Sequence, residues 1–80
     1  MSDSMSAPAL SALDVTPADG ADLSRIARGL YIGVGGNVKV DMSSSGTVTF
    51  VGVGAGTLLP IYVKRVYATG TTATNIIALL

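Results

Sequence analysis

The chain has no cysteine, no histidine, no glutamate and no tryptophan among its 80 residues. Without cysteine there is no disulfide, and the lack of both cysteine and histidine argues against a structural zinc site. The same gaps remove the commonest general bases and every thiol nucleophile. A serine nucleophile would have only Lys39, Lys64 or an aspartate beside it as a base, and Ser43, Ser44 and Ser45 read as an ordinary hydroxyl-rich turn. The sequence therefore argues against an enzyme and implies no cofactor. No apolar run approaches the roughly 18 residues of a membrane-spanning helix, and the beginning of the sequence has neither the basic nor the apolar region of a secretory leader. No membrane partner is expected.

Charge is scarce as well. Charged residues make up 12% of the chain against a usual share of about 25%, while hydrophobic residues make up 49%. The formal net charge is zero but unevenly spread. Residues 1–24 hold Asp3, Asp14, Asp19 and Asp22 with no base. Residues 25–80 hold Arg25, Arg28, Lys39, Lys64 and Arg65 against Asp41 alone. An acidic arm on a basic body favours docking of the arm on its own or a neighbouring copy. Residues 1–28 read as a mostly irregular arm, which leaves 52 residues for an all-β module at 29–80. A module of that size buries too little surface for comfortable stability and needs a staple. With disulfides and zinc removed, association with other chains is the staple that remains.

What is present is mostly β-forming. The stretch Thr57 to Thr69 (TLLPIYVKRVYAT) is the longest run of branched and aromatic residues and reads as the central long strand. Pro60 marks an edge or a bulge near its start. Its alternation does not keep one clean face, because Leu59, Ile61 and Val63 continue into Arg65 while Tyr62 and Lys64 continue into Val66. That switch predicts a bulge, or a strand leaving one sheet for another or for a neighbouring chain. Upstream, Leu30, Ile32 and Val34 alternate with Tyr31 and Gly33, and Val38, Val40 and Met42 alternate with Lys39 and Asp41. The GVGGN link between them suits a tight hairpin. DMSSSG is a second turn, with Gly46 at the left-handed position, and leads into Thr47 to Val53. Thr74 to Leu80 forms the last strand, apolar on both faces as expected when both are covered. Five strands joined by short glycine turns predict a small antiparallel β-barrel or compact β-sandwich with an extended N-terminal arm. In the arm, one short turn at Ala9 to Leu13 is allowed, and Asp22 suits the cap of a brief helical turn over Leu23 to Ala27.

Gly33-Val34-Gly35-Gly36 shares glycine spacing with phosphate-binding loops, but a β-run follows where such a loop opens a helix, so a turn between strands is the better reading. Asp19-Gly20-Ala21-Asp22 lacks the alternating ligands and terminal glutamate of a calcium loop. Lys39, Lys64 and Arg65 with Tyr31, Tyr62 and Tyr67 interleave cations and aromatics as single-strand binders do. Balanced charge and a sequence pI near 5.9 argue against nucleic acid.

The elements Arg28-Gly29, Tyr31-Ile32-Gly33, Gly35-Gly36, Thr47-Val48-Phe50, Leu59-Pro60-Ile61, Val63-Lys64-Arg65-Val66 and Ala68-Thr69-Gly70-Thr71-Thr72-Ala73 span the β-module. Through them the chain resembles the head-spike base proteins of alphaproteobacterial tailed phages and gene transfer agents, while Met1 to Asp14 resembles nothing recognisable. The resemblance implies a structural virion protein made in the bacterial host cytoplasm. It would sit as a pentameric homo-oligomer at capsid vertices, with the major capsid protein on one side and a spike or fibre protein on the other. The interface is expected on the long strand and the last strand, at Tyr62, Lys64, Arg65, Val66, Ile77 and Leu79. Two other readings stay open: a capsid decoration or head–tail joining protein, and a small module binding glycans or single-stranded nucleic acid.

Overall fold

Alternation of branched and aromatic residues with glycine and threonine does produce an all-β protein. The structure, a computed structural model, describes residues 9–80. The expectation of an irregular segment over residues 1–8 lies outside them. Seven strands form among the described residues: β1 (Ala12–Asp14), β2 (Gly29–Val34), β3 (Gly36–Met42), β4 (Thr47–Val53), β5 (Thr57–Leu59), β6 (Val63–Val66) and β7 (Thr74–Leu79). They build two antiparallel sheets, one of four strands in the order β1-β7-β2-β5 and one of three in the order β4-β3-β6. The result is a small β-sandwich and not a closed barrel.

The sandwich grows from one bent ladder. Leu30, Tyr31 and Ile32 lie opposite Leu59, Leu58 and Thr57, and Gly36 lies opposite Val53. From Ile32 to Gly36 the chain advances four residues, and from Thr57 back to Val53 it also moves four. β2–β3 and β5–β4 therefore keep a single register across the gap between the sheets. The ladder folds over at Gly35 on one strand and Gly54–Gly56 on the other. A Cβ at Gly35 would lie 2.7 Å from the Val53 carbonyl oxygen and 3.0 Å from the Ala55 amide nitrogen, so only glycine permits this approach of two backbones. Beyond the bend the register slips by one residue between Gly36 and Val38, and Gly52, at φ +70°, donates its N–H to Asn37 Oδ1 at 3.0 Å. This is a bulge that turns Val51 outward.

Three expectations change here. The GVGGN segment is a corner between sheets and not a hairpin, because β2 pairs with β5 and β7 while β3 pairs with β4 and β6. The long run from Thr57 to Thr69 is two short strands: Pro60, Ile61 and Tyr62 carry the chain from the four-stranded sheet to the three-stranded one. Pro60 has no N–H for a ladder, and the face switch read from the sequence falls where the chain changes sheets. Residues 12–14 form an edge strand where a turn was expected. The β3–β4 connection is a hairpin as expected, closed by Met42 N–H donating to the Gly46 carbonyl at 2.9 Å, with Gly46 at φ +104°.

The core between the sheets is small and aliphatic: Leu30, Ile32, Val38, Val40, Val63, Val66, Ile76 and Ala78, with Ala27 and Ala73 at its margins. No polar residue is buried among the described residues.

Residues 9–28 lie along the side opposite the bent ladder's outer strand. β1 pairs with β7, and the Val15 N–H donates to the Ile76 carbonyl at 2.9 Å. The chain then crosses to the outer edge of β6, where the Ala18 and Leu23 N–H groups donate to the carbonyls of Val66 and Lys64 at 2.9 and 2.7 Å. Ala27 and Val63 exchange two bonds, at 2.9 and 3.0 Å. No helical turn forms over Leu23–Ala27, because the backbone of this segment is spent on β6 and the Asp22 side chain is turned to Arg65.

Gly35→Ala should destabilise the protein by about 1–3 kcal/mol through the clash at the bend, lowering Tm by several degrees. Gly20→Ala, with nothing within 4 Å of its added methyl, should leave Tm unchanged. Parallel thermal melts compare the two.

Candidate assembly surfaces

The two sheets present outer faces of opposite character. On the three-stranded sheet, Lys39 lies opposite Thr49, and Asp41 lies between Thr47 and Arg65. Asp41 accepts hydrogen bonds from the Thr47 hydroxyl and, at 2.8 Å, from the Tyr67 hydroxyl. The Tyr67 ring has Lys39 Nζ 4.9 Å and the Arg65 guanidinium carbon 5.6 Å from its centroid, within cation–π range. Arg65 donates from Nε to Asp22 Oδ1 at 2.8 Å and from Nη1 to the Asp19 carbonyl at 3.0 Å. The Asp19 carboxylate in turn accepts from the Ala68 and Thr69 N–H groups, each at 2.9 Å, and from the Thr69 hydroxyl at 2.6 Å. The acidic arm thus docks on the basic body of its own chain. Lys39, Arg65 and Tyr67 are engaged with one another and with the aspartates, and Tyr31 lies on the other sheet, so the cations and aromatics read from the sequence do not form one binding surface.

The outer face of the four-stranded sheet is apolar. Its strands contain one charged residue, Asp14 at the edge. Leu30 and Ile32 are buried inward, so Tyr31 points outward, and its neighbours in register are Leu58 on β5 and Ile77 on β7. Leu79 stands on the same face opposite Gly29, which offers no side chain to cover it. On the other side of Tyr31, Gly33 is packed by Asn75, where a Cβ would come within 2.8 Å. Tyr31 therefore rises between two glycines in the middle of an apolar row. It is 43% exposed and Leu58 is 44% exposed.

The residues singled out from the sequence divide between these surfaces. Ile77 and Leu79 lie on the apolar face. Lys64 and Arg65 lie on β6 beside the arm, and Tyr62 lies on the crossing segment, its carbonyl accepting from the Ser43 N–H at 2.9 Å. Val66 is a core residue, 2% exposed, and has no surface to offer a partner. Tyr31 and Leu58, exposed on the apolar face, were not among the interface residues read from the sequence. The signal for Tyr31 was available, an aromatic flanked by glycines at the polar positions of an alternating strand.

Among the described residues no cavity opens, no group of side chains has the composition of a metal site, and no helix is long and apolar enough to cross a membrane. The surfaces have the chemistry of protein–protein contact: one face satisfied within the chain, the other apolar and uncovered.

Hydrogen bonds from the Thr69 side chain and backbone hold the Asp19 carboxyl below the ordinary aspartate value of 3.8, and bonds from Thr47 and Tyr67 do the same for Asp41. A carboxyl whose folded pKa is depressed adds stability above its unfolded pKa and loses it as pH falls through the folded value. Acidification below about pH 4 should therefore release the arm. Amide exchange at Ala18 and Leu23 should rise while the core strands stay protected, and Asp19→Asn should raise arm exchange at neutral pH and flatten this acid dependence.

No protein-family model matches the chain, and no curated protein does. A solved structure does match: a chain in "Capsid of native GTA particle computed with C5 symmetry", 38% identical, with a TM-score of 0.85. The match covers 99% of this chain and 92% of that one. At that identity and coverage the chain belongs to the family of this gene-transfer-agent capsid component.

Proposed function

We propose that the chain is a non-enzymatic structural protein of a virion: a head-spike base on the capsid, at its vertices, anchoring a spike or fibre. The observation that carries the reading is the near-complete, 38% identical match to a chain of a gene-transfer-agent capsid. Two features of the molecule support it. The aliphatic core is small and unstapled by any disulfide, so a partner's surface adds stability that the chain lacks alone. The apolar face around Tyr31, Leu58, Ile77 and Leu79 is of the kind that partners cover. In this reading the chain associates with its own copies as a pentamer, as five-fold vertices require, and joins the major capsid protein to the spike. Tyr62, Lys64 and Arg65 contribute at the rim beside the arm, while Val66 acts through the fold.

Particles made without this chain should have closed capsids that lack vertex spikes in electron micrographs. Complementation with Tyr31→Asp, at an exposed position the fold tolerates, should give soluble protein that is several-fold depleted from purified particles. Normal spikes on particles lacking the chain would overturn the reading.

A further inference from the structure

The arm is held at two places, and a short link joins them. Residues 11–15 lie along β7: Ser11 and Leu80 exchange backbone bonds at 2.8 and 3.5 Å, and the Val15 N–H donates to the Ile76 carbonyl at 2.9 Å. Residues 18–27 lie along β6, starting with the Ala18 N–H on the Val66 carbonyl at 2.9 Å. β7 and β6 belong to opposite sheets, and packed sheets stand about 10 Å apart. Only Thr16 and Pro17 separate Val15 from Ala18. Three residue steps reach about 10 Å when fully extended, so the link is taut. Pro17 fixes its own φ and holds Thr16 extended, which leaves the link no slack.

The segments on either side of the link are unequally held. Residues 18–27 are anchored by Asp19 on Thr69, by Asp22 on Arg65 and by the fully buried Ala27. Strand β1 is exposed at all three residues, and Leu10 before it is 93% exposed. Val15 packs partly against the core, and the rest of the hold on β7 is backbone pairing.

We propose that residues 9–15 are exchanged between copies of this chain, so that β1 of one copy lies on β7 of the next while residues 18–27 stay on their own β6. This rests on the self-association in the proposed function and assigns the segment that makes it. The ladder itself selects the occupant. Every copy carries the strand that fits this edge of β7 in register, from Ser11–Leu80 to Val15–Ile76, so a second copy satisfies the edge bond for bond. What differs between the two forms is the link, and a short, taut link favours exchange over closure within one chain. Each copy gives one β1 and receives another through unlike surfaces, a head-to-tail contact of the kind that closes into a ring.

The test uses Ala12→Cys with Leu79→Cys in one chain, which has no natural cysteine. The two positions are opposite each other and next to the hydrogen-bonded pair Ser11–Leu80, so they form the closer, non-hydrogen-bonded kind of pair, within reach of a disulfide. After mild oxidation, a denaturing gel without reductant should show covalent oligomers, of the mass that light scattering gives for the natural chain. Three glycines inserted after Pro17 should return most of the protein to monomer. An oligomer by light scattering whose cysteines bond only within one chain would overturn the exchange and leave self-association standing. The absence of any bond would mean that β1 lies on no β7, and would overturn it as well. A natural chain that is monomeric at every concentration would overturn both.

Discussion

Everything in this protein hangs on the close approach of two backbones at Gly35 and Val53. An antiparallel pair running from Leu30–Leu59 to Asp41–Thr47 is too long to lie flat over a core of some ten side chains. Folded at its middle, the pair supplies two strands to each sheet and faces its own apolar residues: Leu30 and Ile32 from one half, Val38 and Val40 from the other. The remaining strands fill the space this creates. β7 adds beside β2, β6 adds beside β3, and the arm seals the side where they end. A side chain at the bend would clash with the Val53 carbonyl and the Ala55 amide and push the two halves apart there.

The polarity of the two faces follows from the same construction. Strands of the three-stranded sheet carry Lys39, Asp41, Lys64 and Arg65, and Lys39, Asp41 and Arg65 are drawn with Tyr67 and the arm aspartates into one connected network. The arm is therefore held by two kinds of bond, backbone pairing to the edge of β6 and carboxylates on Thr69 and Arg65. Strands of the four-stranded sheet carry almost no charge, so their outer face is apolar around Tyr31, Leu58, Ile77 and Leu79, with Asp14 and Asn75 at its margins. A small domain that concentrates its charges on one face leaves the other available for burial.

Much of this was legible in the sequence. Period-two alternation placed β2, β3 and β4, an apolar run placed β7, and the loss of a consistent face after Leu59 pointed to a bulge or a strand that leaves its sheet. Pro60 was read as an edge or bulge within one long strand from Thr57 to Thr69, whereas it ends β5 and begins the crossing to β6. What escaped depended on tertiary pairing. Ala12-Leu13-Asp14 has weak intrinsic preference for a strand and becomes one because β7 offers an open edge. The Asp22 side chain was read as a helix cap and is taken instead by Arg65, 43 residues away. Gly35-Gly36 signals a sharp turn, but glycine spacing does not say whether the flanking strands pair with each other or pass to opposite sheets. For the assembly surface, the basic pair drew attention because charges are conspicuous, whereas the uncharged face around Tyr31 becomes visible only when register places Leu58 and Ile77 beside it.

The position of β7 has a consequence for how the protein comes into being. It is the last of the seven strands in chain order, yet it lies between β1 and β2, inside the sheet. Until residues 74–79 have left the ribosome, β1 has no neighbour to pair with and the four-stranded sheet has no middle. The non-local pairing this imposes defers completion of the sheet until residues 74–79 are available. A translation product that stops short of β7 cannot complete the sheet, so incomplete copies are sorted from finished ones by folding itself.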